Sequence, residues 1–133
     1  DAEVVIVTMG SVIGTIKDAI DVMRAEGKKV GLVKVRCYRP FPVQALRKAL
    51  SDASVIAVIE KDVSIGAEAG LVTDLKASFY NSKLHIPIIG FAAGLGGRDI
   101  TVKDIRKIVE KAEAARKGIE SEFEFLDLRW EIL

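Results

Sequence analysis

Residues 3–10 read EVVIVTMG, a nearly continuous apolar run with the length of one β-strand. Runs of this kind are typical of a parallel strand that helices cover on both faces. Apolar side chains then recur at helical spacing over residues 12–23, and Gly27 is suited to end that helix. A strand followed by a helix is therefore the repeating unit that we expect in this fold.

Three more such units follow along the chain. They are VGLVKVRCY (30–38) with VQALRKAL (43–50), SVIAVIEKD (54–62) with LVTDLKASFYN (71–81), and IPIIGFAAG (86–94) with TVKDIRKIVEKAEAARKG (101–118). Thr101 and Asp104 have the spacing of a capping box, and Gly118 is suited to end the last helix. Alternating units predict a three-layer α/β/α domain with a mostly parallel sheet, and right-handed crossovers place helices on both faces.

The C-terminal tail, EFEFLDLRWEIL (122–133), has a different pattern. Phe123 and Phe125 alternate with acids, whereas Leu128, Trp130 and Ile132 alternate in the opposite phase, as a bulge near Leu126 would produce. We therefore divide a single domain, 1–133, into core units (1–118) and a tail (119–133) that forms a fifth, edge strand or an arm on a neighbouring subunit. Because the sequence starts at Asp1, we expect it to be a piece of a longer polypeptide.

Composition excludes several functional classes. The 133 residues carry a net charge of +1, so no bulk positive field favours nucleic acid as the main partner. No apolar run approaches the roughly 20 residues that span a bilayer, and no signal-peptide pattern opens the sequence. A single cysteine rules out an internal disulfide or a multi-cysteine metal site and fits a cytoplasmic location. Cys37 itself is expected to be a small buried hydrophobe.

Ligands of open α/β sheets bind beyond the carboxyl ends of the strands, and four loops fall there. Gly10 and Ser11 either present N–H groups to an anion or form a tight turn in which Ser11 caps the helix. In YRPFP, Arg39 either binds an anion or belongs to a rigid turn that packs Phe41. The charged run 60–62 is interpreted as a solvated loop or ion pair rather than a proton-transfer site.

The fourth loop, GLGGRDIT (94–101), is the most specific feature. Its glycines permit positive φ angles or close backbone approach, which Arg98 and Asp99 would use to hold a ligand, a partner or the loop itself. A ligand or interface loop and a structural turn remain equal alternatives. His85 is the only histidine and is expected at the opposite edge of the sheet, so we predict no catalytic residue and no metal site.

Three stretches together, KVRCYRPFP, VIAVIEKDVSIGAEAG and PIIGFAAGLGGRDIT, resemble the C-terminal domain of the alpha subunit of pyruvate or related 2-oxoacid:ferredoxin oxidoreductases. The resemblance covers nearly the whole chain. It implies a fold like the C-terminal domain of transketolases, with five strands and one antiparallel edge strand. It assigns ligand or interface roles to the motif loops, namely Gly10, Ser11, Arg39, Pro40, Phe41, Pro42, Gly96, Gly97, Arg98 and Asp99.

The resemblance further implies that the assembled enzyme decarboxylates a 2-oxoacid oxidatively to an acyl-coenzyme A. Thiamine diphosphate, Mg²⁺ and iron–sulfur clusters would be bound elsewhere, coenzyme A would be a substrate, and ferredoxin and a thiamine-diphosphate-binding subunit would be partners. Relatives often carry Asp-Arg where Glu60 and Lys61 stand, and a lysine does not reproduce a bidentate guanidinium contact.

Two alternatives remain open from the sequence. The chain could be a stand-alone module that binds an anionic, nucleotide-like ligand at the Gly10 and Gly96 loops. It could also be the C-terminal domain of another thiamine-diphosphate enzyme, although RPFP and GLGGRD together are not expected there.

Overall fold

The computed structural model describes residues 1–119, 122–126 and 128. Over these residues the predicted strand–helix units are confirmed. The elements in chain order are β1 (Val4–Thr8), α1 (Ile13–Ala25), β2 (Val30–Lys34), α2 (Val43–Leu50), β3 (Val55–Glu60), α3 (Gly70–Tyr80), β4 (Ile88–Ala92), α4 (Val102–Arg116) and β5 (Glu124–Phe125).

The strands form one sheet in the order β2-β1-β3-β4-β5. Every pairing among the described residues is parallel, including that of β5, where Phe91 pairs with Glu124. The expected antiparallel edge strand is therefore wrong for the described part of the sheet. The reason is that α4 returns the chain to the amino end of the sheet, so β5 enters in the same direction as β4.

Helices cover the sheet in two layers with separate apolar cores. α1 and α4 pack on one face against side chains such as Ile6, Ile59 and Phe91. α2 and α3 pack on the other face against alternate residues such as Val7, Val58 and Ile56. β1 and β3 are buried along their whole length, as their continuous apolar sequences predict.

α4 departs from the expected handedness. It lies beside α1 and over β3 and β1, although the strand it leads to lies beyond β4. The β4–α4–β5 connection therefore has the opposite hand to the other three, against the strong preference for right-handed crossovers. Burial accounts for the exception, because Ala57, Ile59 and Ile89 on this face would otherwise remain exposed beyond the reach of α1.

Predicted helix ends are confirmed for α4. The Thr101 side chain accepts the Asp104 N–H at 3.3 Å, and the Asp104 carboxylate accepts the Thr101 N–H at 2.8 Å, so the capping box is complete. At the other end, Gly118 has a φ of +87°. None of the described helices has the length and apolar composition needed to cross a membrane.

The described tail contacts both cores. Phe123 packs into the α2–α3 core and meets Phe125 edge to face at 5.4 Å, while Leu126 is buried in the α1–α4 core. The two faces of the described tail contact different cores, which accounts for apolar residues in both phases up to Leu126. The bulge predicted near Leu126 depends on the residues that follow it and stays a prediction. The predictions for Trp130 and Ile132 lie outside the described residues.

Candidate functional site

The connections after β1, β2, β3 and β4 all lie at the carboxyl edge of the sheet, as the sequence predicted. In the observed strand order, the chain leaves β1 toward β2 on one side and returns past it to β3 on the other. The switch in strand order therefore falls between β1 and β3, and open α/β sheets form their ligand crevice at such a point. This edge is the candidate site.

Gly10 and Ser11 form an exposed turn after β1. Gly10 has a φ of +90°, and α1 begins at Ile13 with Val12 as its N-cap. No side chain caps this helix, so the interpretation of Ser11 as the N-cap is wrong. The turn itself agrees with the prediction, and the Ser11 side chain is free to face solvent.

The YRPFP segment is fixed to α3 through Asp74. The Asp74 carboxylate accepts the Tyr38 hydroxyl at 2.5 Å and the Arg39 guanidinium at 2.8 Å. The guanidinium also lies 4.2 Å from the centre of the Tyr38 ring, and Phe41 meets the same ring edge to face at 5.7 Å. This geometry agrees with the rigid-turn interpretation, because Arg39 already has an anionic partner within the domain.

The charges of this cluster support one another. The hydrogen bond from Tyr38 and the nearby Arg39 guanidinium lower the pKa of Asp74, although its partial burial acts in the opposite direction. Burial and the hydrogen bond to Asp74 raise the pKa of Tyr38. Both groups therefore keep the protonation states that the hydrogen bond requires throughout the neutral pH range.

Glu60, the last residue of β3, has a role that the sequence analysis missed. Its side chain is buried and accepts the backbone N–H of Leu71 at 2.6 Å and that of Val72 at 2.9 Å. The solvated-loop interpretation therefore holds for the exposed Lys61 and Asp62 but is wrong for Glu60. Burial raises the pKa of Glu60 to about 7, with a smaller contribution from Asp62, while the two N–H groups act in the opposite direction.

A signal for this contact was present in the sequence. α3 begins at Gly70 after Ala69, and neither residue carries a side-chain acceptor for the first N–H groups of the helix. A buried helix start needs an acceptor from elsewhere, and the preceding strand ends in a carboxylate. Glu60 supplies the charge that a helix N-terminus favours.

The glycine loop makes a tight 3₁₀ turn, Leu95–Gly97, after β4. Gly94, Gly96 and Gly97 have φ angles of +72°, +66° and +77°, which explains the need for glycine at all three positions. Arg98 and Asp99 are exposed, and neither has a hydrogen bond or ion pair with any residue that the structure describes. Their charged groups are thus available to another molecule or domain.

Exposed apolar side chains lie close to these loops. Met9 follows β1, and Val63 and Ile65 belong to the connection after β3, next to it in the sheet. Ile65 is fully exposed at a loop tip, whereas the base of that loop is anchored by Glu60 and the buried Ala69. Exposed apolar residues grouped in this way are a mark of a contact surface.

Cys37 and His85 complete the account of the predicted residues. Cys37 is exposed beyond the end of β2, with its thiol 3.4 Å from the Arg39 carbonyl, so the expectation that it is buried is wrong. His85 lies before β4 at the opposite, amino edge, as predicted. Among residues 1–119, 122–126 and 128, no three His, Cys, Asp or Glu side chains are grouped to hold a metal ion.

The sequence also matches a known protein family. Residues 2–105 match the family described as pyruvate:ferredoxin oxidoreductase core domain II. The chain belongs to this family. All four carboxyl-edge loops lie within the matched residues, whereas most of α4 and the tail lie beyond them.

Similar proteins agree with this family. The pyruvate synthase subunit PorA of Methanosarcina barkeri is 46% identical over 135 residues, covering 100% of this chain and 34% of that protein. The ketoisovalerate oxidoreductase subunit VorA of Pyrococcus furiosus is 46% identical over 121 residues, covering 91% of this chain and 30% of that protein. This core domain II chain thus spans about a third of the length of such relatives.

Solved structures support the fold. A split-gene transketolase, solved as an inactive tetramer of beta subunits, has a TM-score of 0.68 at 20% identity, covering 87% of this chain and 41% of that one. The 2-oxoglutarate:ferredoxin oxidoreductase of Magnetococcus marinus has a TM-score of 0.59 at 22% identity, covering 84% and 18%. The transketolase-like fold that the sequence resemblance implied is therefore confirmed.

Proposed function

We propose that this chain is the C-terminal domain of the alpha subunit of a 2-oxoacid:ferredoxin oxidoreductase and that pyruvate is the 2-oxoacid. The observation that carries the proposal is the 46% identity to a pyruvate synthase subunit over the whole chain. Pyruvate is favoured over ketoisovalerate because the match to PorA extends over 100% of the chain, whereas the match to VorA, at the same 46% identity, extends over 91% of it. The reaction of the assembled enzyme would convert the 2-oxoacid to an acyl-coenzyme A and reduce ferredoxin.

The cofactors of this reaction are assigned to other parts of the assembly. Iron–sulfur clusters are held by several cysteine thiolates, and the chain has one cysteine. Thiamine diphosphate is bound through Mg²⁺, and the described residues contain no group of three His, Cys, Asp or Glu side chains that could hold a metal ion. We therefore assign both groups to other domains and derive no chemical step on them.

We assign to the domain a docking role at the carboxyl edge of its sheet. Arg98 and Asp99 present charges there that have no partner in the described part of the chain, and Ile65 presents a fully exposed apolar side chain. Two anchors beneath these loops hold the surface in a fixed shape: Glu60 of β3 binds the start of α3, and Asp74 of α3 binds the YRPFP segment. A rigid surface with exposed apolar and charged groups suits a contact with the rest of the subunit or with the thiamine-diphosphate-binding subunit.

The test uses the full-length subunit expressed with its partner subunits. Ile65→Asp and Arg98→Ala are expected to reduce co-purification of the partners, or pyruvate-dependent ferredoxin reduction, by tenfold or more. Ile119→Asp is the matched control, because Ile119 is 62% exposed at the opposite edge. Unchanged assembly and unchanged turnover in both carboxyl-edge variants would overturn the docking role. A subunit that oxidises ketoisovalerate better than pyruvate would overturn the substrate.

A further inference from the structure

Three of the four loops at the carboxyl edge carry an exposed cation. Arg36 follows β2, Lys61 follows β3, and Arg98 follows the glycine turn after β4. None of the three forms an ion pair with a residue that the structure describes. In the strand order β2-β1-β3-β4, Arg36 and Arg98 belong to the two outer loops and Lys61 lies between them. The cations are therefore spread along the whole edge.

The acidic side chains of the same loops are mostly engaged within the domain. Glu68 accepts the Lys76 ammonium at 2.7 Å. Asp62 lies against the start of α3, where one carboxylate oxygen is 4.0 Å from the position that a Cβ on Gly70 would take. Asp99 is exposed beside Arg98 and has no partner in the described part of the chain. The charges that this edge offers to another molecule are therefore predominantly positive.

Helix dipoles add to this positive potential. Each of the four helices follows a strand, so its N-terminus, which carries about half a positive elementary charge, lies at the carboxyl edge. Glu60 neutralises the start of α3, and Asp104 neutralises that of α4. By contrast, α1 and α2 have neither an acidic residue in the first turn nor a side-chain cap. Their partial charges lie on the side of the edge that carries Arg36.

The cations surround exposed apolar side chains of the same edge. Met9 and Val63 are 41% and 42% exposed, and Ile65 is fully exposed. These residues belong to the loops after β1 and β3, which lie between the loops of Arg36 and Arg98. An apolar centre with a polar rim is the usual anatomy of a protein–protein contact. Because the rim here is cationic, it specifies the charge of the surface that fits it.

We propose that the carboxyl edge docks a separate partner subunit of the enzyme through an acidic surface of that subunit. Carboxylates of the partner lie opposite Arg36, Lys61 and Arg98, around an apolar pocket for Ile65. The inference rests on the proposed docking role and names the chemistry of its partner.

A separate subunit is favoured over another domain of the same polypeptide. Complementary charge chiefly speeds the encounter of separate molecules, whereas tethered domains already have a high effective concentration. The similar proteins PorA and VorA are themselves named as subunits. Charge placed along a whole edge therefore fits an encounter between two chains.

Solvated loop cations are the competing explanation. Exposed charges are common on loops, and an isolated one contributes little to stability. The two explanations differ in the rate at which the subunits associate. Complementary charge raises that rate at low ionic strength, and salt screens the effect, with a Debye length of about 10 Å at 0.1 M. Cations without a docking role leave the rate independent of salt.

Association of the full-length alpha subunit with its partner subunits, followed by biolayer interferometry, tests the proposal. The association rate constant of the wild type should fall about tenfold as the salt concentration rises from about 0.02 to 0.5 M. Arg36→Glu, Lys61→Glu and Arg98→Glu combined should slow association to a similar extent at low salt and remove the dependence on salt. Asp99→Lys should speed it. Wild-type association that does not depend on salt, or faster association of the triple variant, would overturn the proposal.

The matched control reverses three exposed cations at the amino edge, through Lys48→Glu, Lys83→Glu and Lys117→Glu. Both triple variants change the net charge equally, so the comparison isolates the position of the charges. Association of the control should stay within about twofold of the wild type. Equal slowing of both triple variants would show an effect of net charge alone and would overturn the carboxyl-edge site.

Two further outcomes separate the source of the partner from the docking role itself. Slow hydrogen exchange of the Val63 and Ile65 amides in the isolated alpha subunit would show that the same polypeptide covers the edge, which would overturn the separate subunit. Ile65→Asp that prevents assembly, together with a carboxyl-edge triple variant that associates at the wild-type rate, would overturn the acidic partner and leave the docking role intact. Unchanged assembly in every carboxyl-edge variant would overturn both.

Discussion

The carboxylate of Glu60 accepts the backbone N–H of Leu71 at 2.6 Å, which joins the end of β3 to the start of α3. The second carboxylate oxygen accepts the N–H of Val72 at 2.9 Å. One side chain thus satisfies two of the four N–H groups that the first turn of a helix leaves without partners. It also fixes the base of the exposed loop that carries Ile65.

Replacement of this carboxylate should destabilise the domain. Glu60→Ala leaves two N–H groups at a buried helix start without an acceptor, which should lower the free energy of unfolding by about 1–3 kcal/mol. Urea unfolding followed by circular dichroism measures the change. Lys61→Ala is the control, since Lys61 is exposed and should change stability by less than about 0.5 kcal/mol. Equal effects of both substitutions would contradict the capping role.

The same carboxylate should make stability depend on pH. Burial raises its pKa from the ordinary value of 4.5 to about 7, so between these values the folded protein binds more protons than the unfolded chain. The contribution of Glu60 to the free energy of unfolding is therefore largest below about pH 4.5. It falls as the pH rises to about 7, by about 3 kcal/mol at most.

Urea midpoints measured at several pH values from 4.5 to 7.5 provide the check. Glu60→Gln should flatten the profile, because the amide does not titrate. Carboxylates with lowered pKa, such as Glu26 and Asp74, lose their contribution at lower pH and do not produce this slope. A wild-type profile that rises with pH would mean that the N–H groups outweigh burial.

Gly90 on β4 makes room for the Phe123 ring. A Cβ at position 90 would overlap a Phe123 ring carbon and lie 3.1 Å from Val72. Gly90→Ala should therefore destabilise the domain by about 1–3 kcal/mol through overpacking. Gly14→Ala is the control, because position 14 is helical and open, and alanine should stabilise it by up to about 1 kcal/mol.

Rescue by a second substitution distinguishes overpacking from a backbone effect. Phe123→Leu removes the ring carbons that the new methyl group would meet, so the double variant should lose less stability than the sum of the two single variants. Strict additivity would show that the ring is not the cause. Thermal unfolding of the four proteins completes the cycle.

Local patterns predicted most of the fold. The apolar runs of β1 and β3 and the Thr101 capping box depend on residues close together in the sequence, and each was found as expected. The strand predicted over residues 30–38 extended too far, since β2 ends at Lys34 and the chain then turns toward Arg39. Strand ends depend on pairing with neighbours, which periodicity does not record.

Features set by distant packing were not predicted. The direction of β5 and the hand of the α4 connection follow from apolar residues of β3 and β4 that α4 covers. The role of Glu60 depends on a helix start 11 residues away, and its neighbours Lys61 and Asp62 favoured an exposed loop. Both results require the tertiary arrangement as well as the local sequence.

The YRPFP segment permits a comparison of two contacts to one carboxylate. The Tyr38 hydroxyl is partly buried, whereas the Arg39 side chain is 63% exposed. Tyr38→Phe should lower the free energy of unfolding by about 1 kcal/mol, and Arg39→Ala by less, because water screens an exposed ion pair. Each substitution combined with Asp74→Ala gives a double-mutant cycle, measured by urea unfolding. A coupling to Asp74 that is larger for Arg39 than for Tyr38 would mean that the guanidinium, rather than the hydroxyl, fixes the segment to α3.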